Sequence, residues 1–425
     1  MNAVDIGPVD PAQRTQSAFD LFLIFAGANI VATTLQTGAS LVPAFGLSAA
    51  IGLVVAGSLV GSCLVGALAE VGPRLGVPSV IAARAALGMR GASAVALLLY
   101  AMNFAWIAVN NVIAGSACAQ VLGGPASHRA WAVGLGIAST VIVAGGPRVV
   151  ALADRFAVPL LAVVGAVLTV ACLGLRWDIV AAPGTGGMAW VRGFDIVVGY
   201  QVSWILMFAD YSRYTASRRR AVAAVFVGLL ATSVWLMPLG FAAARAAGSP
   251  DPGAMMRAVG LGTAGAVLMT VATLTTNFVN IYMSALAIRS LAPRVGQQAS
   301  IWSTGLVGAG LSVLSGAWLD QYSGFMLILG GILVPVGGIL LARFFVVRAP
   351  VDVASLYERP DRRRCMAGFN LPGLVAWGAG SAAYYLAGDL GGTVPSLAVS
   401  VGLYVALTAA TAQRARRADA GLPPR

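Results

Sequence analysis

Charge is what this chain has least of. Only 10% of its 425 residues are charged, against roughly a quarter in soluble proteins, while 59% are hydrophobic. Between Arg220 and Arg245, and between Arg257 and Arg289, no charged side chain occurs at all. A charge at the bilayer centre costs at least about 2.5 to 3.5 kcal/mol, so a chain that confines its charges to short gaps between apolar runs has lipid as its solvent. Histidine is limited to His128, and the 15 carboxylates sit mostly in the gaps or near segment ends. No nucleophile-base or metal-ligand cluster can form at membrane depth from such material, which excludes an enzyme. The four cysteines, Cys63, Cys118, Cys172 and Cys365, are scattered without CxxC spacing, so no disulfide or metal framework is expected. Three of them lie in apolar segments, where a thiol acts as a small hydrophobe. The polar stretch before Phe19 lacks the basic start and cleavage site of a signal peptide, and the mature chain is expected to begin near Met1.

What is present is a series of uncharged windows at 21–69, 91–127, 130–147, 156–175, 196–209, 221–244, 258–288, 295–319, 321–342, 365–388 and 390–413. A spanning helix needs roughly 20 apolar residues. The first window, interrupted near Pro43, holds two, which gives an all-α polytopic membrane protein of about twelve spans. All 27 basic residues are arginines, and with alternating spans only Arg129, Arg176, Arg192, Arg245 and Arg257 fall on the outer side, leaving 22 inside. That asymmetry predicts a bacterial-type plasma membrane protein with both termini in the cytoplasm. The net charge of +12, including Arg218 to Arg220 and Arg362 to Arg364, therefore reports orientation and not nucleic-acid binding.

Spans 1 and 6 depart from the pattern. Gly27, Asn29, Thr33, Thr34, Gln36, Thr37, Gly38 and Ser40 interrupt span 1. Span 6 has only 14 residues between Asp195 and Asp210, about 21 Å of helix against a core of about 30 Å, and contains Gly199, Tyr200, Gln201 and Ser203. Such residues serve either close helix packing or a break that turns backbone toward a central cavity. Positions one and six are equivalent in two successive five-helix units, and interrupted segments at matching places in two halves point to a transporter's midplane site.

Two further spans carry polar faces. In span 8, Ala272, Thr276 and Asn280 share a stripe at helical spacing, with Thr273 and Asn277 beside it. The stripe either hydrogen-bonds a neighbouring helix or lines a wet cavity. In span 3, Asn103, Trp106 and Asn110 are spaced i, i+3, i+7 and face one way.

The segments Gly199 to Tyr214 (GYQVSWILMFADYSRY), Leu274 to Tyr282 (LTTNFVNIY), Val334 to Leu340 (VPVGGIL) and Ala83 to Gly88 (ARAALG) resemble the nucleobase–cation symporter family, which includes bacterial cytosine permeases and hydantoin transporters. The resemblance implies two inverted five-helix repeats, at 20–175 and 190–346, with spans 1 and 6 broken, between a cytoplasmic tail at 1–19 and a cytoplasmic loop at 347–369. Two additional helices at 370–413 and a tail at 414–425 complete it. It implies a sodium ion held by the carbonyls of Gly27, Ile30 and Ala272 and the hydroxyls of Thr275 and Thr276, or hydroxyls that merely bond back to their own helix. It also implies a planar heterocycle stacked on Trp106, flanked by Asn103 and Asn110, bonded by Ser203, and read by Asn277 and Asn280.

Where similar proteins carry a second aromatic in span 6, this chain has Gln201, with Tyr200 and Trp204 as neighbouring substitutes. The Ser203-Trp204 and Ala209 to Tyr214 runs are also similar to a subgroup that carries hydroxymethylpyrimidine. The expected activity is sodium-coupled import of a nucleobase by a monomer without resident cofactors. A proton is the alternative ion, and hydroxymethylpyrimidine, allantoin or a hydantoin the alternative substrate.

Overall fold

The computed structural model describes residues 7–123, 127–292, 294–358 and 368–419. Cys365 and the Arg362 to Arg364 anchor lie outside the described residues, as do parts of the expected 347–369 loop and both tails. Lipid offers the backbone no hydrogen-bond partners, so the apolar windows close their own bonds as helices. Span 1 is α1 (Ala18–Asn29) and α2 (Ala32–Ala39). Then come α3 (Leu47–Ala69), the short α4 (Val71–Leu75), α5 (Ser79–Leu122), α6 (His128–Ala144), α7 (Pro147–Leu173) and the single turn α8 (Trp177–Val180). The second half runs α9 (Trp190–Val202), α10 (Arg218–Ala247), the short α11 (Pro252–Ala258), α12 (Gly262–Leu291), α13 (Gln297–Leu311), α14 (Ser315–Asp320) and α15 (Tyr322–Leu341). Last are α16 (Leu371–Leu386) and α17 (Thr393–Asp419). Among the described residues, helices occupy each of the twelve predicted spans, and six are long and apolar enough to cross a membrane unaided.

Span 1 is broken, with α1 and α2 bent by 56°. The break falls at Ile30 and Val31 rather than at a glycine: Ile30 has φ −82°, ψ 72°, and Val31 is fully extended. Gly38 instead lets α2 press against α10, where an added Cβ would meet the Met237 carbonyl, while a Cβ on Gly240 of α10 would meet the Leu35 carbonyl. Span 6 continues from α9 directly into a 3₁₀ segment, Ser203–Met207, and a second at Ser212–Tyr214. Gly199 lies inside regular helix, and its missing side chain admits the Met326 carbonyl of α15. Two of the glycines expected to mark breaks thus serve packing.

The helices sort into two packed groups. α10 packs against α1, α2 and α3, and α3 also packs against α9. α5 packs against α6, α12 and α13, while α15 bridges α9 to the terminal pair α16 and α17.

The Ala83 to Gly88 motif has a structural explanation. α5 is two helices joined at Gly88 (φ 75°, ψ 171°), a backbone conformation that only glycine adopts without strain. The carbonyls released there are met from the far end of the chain. Arg343 Nε donates to Ala85 at 3.0 Å, Asn370 Nδ2 to Ala86 at 2.7 Å, and the Asn370 N–H to Leu87 at 3.0 Å. A Cβ at Gly88 would also strike the Gly368 carbonyl. Gly88→Ala is expected to destabilise the protein by about 1–3 kcal/mol or more, read as a lower thermal midpoint in detergent. An unchanged midpoint would contradict this reading.

Candidate functional site

The interrupted span 1, the middle of α5, the end of α9 and the centre of α12 converge on one internal cavity. About 50 Å³ of it is open to water, room for more than one molecule. Its walls carry Asn103 and Trp106 from α5, Tyr200 at the end of α9, Ser203, Trp204 and Met207 from the 3₁₀ segment, and Thr276 and Asn280 from α12. Span 1 adds Ala28, Val31 and Thr33, and α15 adds Leu329 and Leu333. Among the described residues no charged side chain lines it. Trp106 is wedged by edge contacts with Tyr200 (ring centroids 6.0 Å, 81°) and Phe325 (5.1 Å, 67°), which fix its plane.

Polar bonds hold the walls. The Tyr200 hydroxyl meets the Thr34 hydroxyl at 2.6 Å and donates to Asn29 Oδ1 at 3.1 Å. Thr34 donates to the Asn29 carbonyl at the end of α1, at 2.5 Å. Asn29 Nδ2 donates to Thr232 and Ser233 of α10, each at 2.8 Å. Ser203 donates to the Tyr200 carbonyl at 2.7 Å, leaving its oxygen lone pairs available. Asn103 and Asn280 have no hydrogen-bond partner among the described residues, so both amides remain available to a ligand.

The structure thus brings together Asn103, Trp106, Ser203, Trp204 and Asn280 of the expected substrate set, and leaves out three. Gln201 is fully buried on another face of α9, against α3 and α10, donating to Ser233 at 3.0 Å and Ser62 at 3.3 Å. Asn110, one turn beyond the cavity, donates to Asn277 Oδ1 at 3.3 Å. Asn277 in turn donates to Asn111 at 2.7 Å, and Asn111 to Ser312 at 3.0 Å, a chain that ties α5, α12 and the end of α13. Both readings of the α12 stripe therefore hold on adjacent faces: Thr276 and Asn280 line the cavity, while Thr273 donates to the Asn110 carbonyl and Asn277 bonds α5.

Tyr200 was legible as well. Tyr200, Ser203, Trp204 and Met207 follow i, i+3, i+4, i+7, a single face that excludes Gln201.

Of the expected sodium ligands, Ile30 and Ala272 border a second, apolar cavity of about 20 Å³, while Thr276 borders the first cavity. Gly27 and Thr275 border neither, and the Gly27 carbonyl accepts the Ile30 N–H at 3.2 Å. Thr275 bonds back to the Val271 and Ala272 carbonyls at 3.1 and 3.0 Å, and Thr276 to Ala272 at 2.7 Å. Each of these hydroxyls keeps lone pairs. The donor set is all oxygen and without carboxylates, in keeping with a hard monovalent cation.

A helical fold with a broken span 1 and a central cavity lined, among the described residues, by no charged side chain fits a membrane transporter. The sequence pattern of the permeases for cytosine/purines, uracil, thiamine and allantoin matches residues 8–405, and the chain belongs to that family, the nucleobase–cation symporters. The cytosine permease of Escherichia coli (strain K12) is 25% identical over 364 residues, 80% of this chain and 81% of its own. A putative purine-cytosine permease of Bacillus subtilis (strain 168), YxlA, is 25% identical over 244 residues; that match covers 54% of this chain and only about half of the relative, 51%. The inward facing conformation of Mhp1 superposes with a TM-score of 0.83 at 20% identity, over 99% of this chain and 97% of that one. Mhp1, a nucleobase-cation-symport-1 family transporter, in a closed conformation with bromovinylhydantoin bound superposes at 0.80, also at 20% identity, over 97% and 96%.

Tyr200→Phe removes the donor that satisfies the buried Asn29 Oδ1. It is expected to cost about 1–3 kcal/mol, measured by thermal unfolding in detergent, and a variant as stable as the parent would contradict the network.

Proposed function

We propose that the protein imports a nucleobase or a related planar nitrogen heterocycle in symport with sodium, by alternating access of the central cavity. The observation that carries this reading is the meeting of the span 1 break with the polar face of α12 at a neutral cavity that holds Trp106 and two unpartnered amides. A tryptophan face takes up a flat ring for about 1–3 kcal/mol per base and tolerates ring variation. Identity then falls to the edge, where Asn103 and Asn280 each offer one donor group and one acceptor and so suit an amide or amidine. The names of the relatives, cytosine permease and a hydantoin-bound transporter, support six- and five-membered rings of this kind.

Sodium is the proposed co-substrate, taken up between the span 1 break and α12. Ile30 departs from helical geometry, so its carbonyl is turned off the helix axis, and the Ala272 carbonyl with the Thr275 and Thr276 oxygens lies on the facing helix. Oxygen dipoles can hold a monovalent ion there without a carboxylate at membrane depth, which would be expensive. The protein is proposed to sit in the plasma membrane with cytoplasmic termini, the orientation its arginines favour.

Uptake of radiolabelled cytosine, adenine and hydantoin into proteoliposomes tests the reading. Uptake driven by a sodium gradient is expected for at least one of them. Trp106→Ala is expected to abolish ring binding with the fold intact. Thr276→Ala is expected to raise the sodium concentration needed for uptake more than it alters ring selectivity. Normal transport by Trp106→Ala would overturn the pocket, and uptake indifferent to sodium but abolished by a protonophore would replace sodium by a proton.

A further inference from the structure

The uncharged run of α10 begins at Ala221, directly after Arg218, Arg219 and Arg220, and α10 is long and apolar enough to cross a membrane. Its first turns therefore pass from charged to apolar surroundings within a few residues. At that boundary α10 and the end of α3 enclose a surface cleft of about 420 Å³, lined by Arg218, Arg219, Val222, Ala223, Phe226 and Glu70. Arg219, Ala223 and Phe226 follow i, i+4, i+7, so the wall changes from guanidinium to aromatic along one helical stripe over about 10 Å. The aromatic end is seated against α3, where a Cβ placed on Gly66 would lie 3.0 Å from Phe226 Cβ. One turn beyond Ala223 the stripe stays apolar and uncovered, with Val227 46% exposed. The arginines are not consumed by the protein. Arg218 approaches Glu70 at 3.8 Å, beyond hydrogen-bond reach, and its side chain is 57% exposed. Arg219 has no ion-pair or hydrogen-bond partner among the described residues. The lining thus sets two guanidinium groups against one carboxylate, with Arg220 exposed beside them.

We propose that this cleft binds an anionic phospholipid, Arg218 and Arg219 donating to its phosphate while Val222, Ala223 and Phe226 take the first part of an acyl chain. The planar fork of donors on a guanidinium suits phosphate oxygens. A soluble phosphate would engage the arginines but leave the apolar end of the cleft uncovered, whereas a phosphate that carries a chain fills both. A zwitterionic lipid offers the same chain but brings a cation that the arginines repel. The Glu70 carboxylate opposes the phosphate and holds the affinity down. The cleft lies wholly within the group in which α10 packs against α1, α2 and α3, so a lipid seated there is not displaced when that group moves against the other. The site is independent of what the central cavity carries.

Native mass spectrometry of the full chain in detergent, offered equal amounts of phosphatidylglycerol and phosphatidylcholine with identical chains, reads the preference. The unaltered protein is expected to retain phosphatidylglycerol at least about 5-fold over phosphatidylcholine. In Arg218→Gln/Arg219→Gln the preference is expected to fall to about 2-fold or less, with retained phosphatidylcholine unchanged. Glu70→Gln is expected to raise it, an effect that loss of a merely structural ion pair would not give. Arg90→Gln/Arg414→Gln, which removes two exposed arginines elsewhere, is expected to leave it as it was. Four results would each overturn the proposal: no preference in the unaltered protein, an unchanged preference in Arg218→Gln/Arg219→Gln, an equal fall in Arg90→Gln/Arg414→Gln, or an unchanged or lower preference in Glu70→Gln. Release of the bound phosphatidylglycerol by inorganic phosphate, but not by chloride of equal ionic strength, would also overturn it, by making the cleft a site for free phosphate.

Discussion

A helix interrupted inside lipid exposes backbone groups that the lipid cannot satisfy, so a break must be answered by partners within the protein or by a cavity it lines. At the span 1 break the answer comes from side chains. Thr34 takes the Asn29 carbonyl, the Ile30 N–H turns back onto Ala26 and Gly27, and Asn29 itself is clasped by Tyr200 from α9 and by Thr232 and Ser233 from α10. Further along, Tyr322 of α15 donates to the Thr33 carbonyl at 2.9 Å and meets the Thr37 hydroxyl at 2.8 Å. The polar residues of span 1 are thus what allows it to be broken. The same constraint recurs at Gly88, where Arg343 and Asn370 meet the freed carbonyls.

These bonds also divide the molecule. One network runs Asn29, Ser233, Gln201 and Ser62 within the group of α1, α3, α9 and α10. Another runs Asn110, Asn277, Asn111 and Ser312 within the group of α5, α12 and α13. Each group is tied internally by hydrogen bonds that are strong where water is absent. The cavity lies between them, walled by both. Rocking one group against the other would leave both networks whole, a property alternating access requires. Three amides expected at the ligand, those of Gln201, Asn110 and Asn277, belong to these networks instead.

The sequence disclosed the membrane class, the span count and the spans that build the cavity, because charge and polarity are costly in lipid and appear only where something compensates for them. It disclosed less about which polar residue faces which way. Asn103 and Asn110 share a stripe, yet the cavity ends between them, since the stripe sets direction and not depth. Gly38 and Gly199 read as marks of a break, with contact surface as the alternative, and only the facing carbonyls of Met237 and Met326 decide for contact. Gln201 drew attention as a departure at an expected aromatic position, but its neighbour Tyr200 shares the face of Ser203 and Trp204, which helical spacing alone indicates.

The most direct measurement is to locate a heavy-atom ring in the protein, by anomalous diffraction from crystals grown with 5-bromocytosine and sodium. The account predicts a bromine peak inside the cavity bordered by Trp106, Trp204, Asn103 and Asn280. A peak elsewhere, for instance beside Gln201 or among Asn110, Asn277 and Ser312, would contradict it.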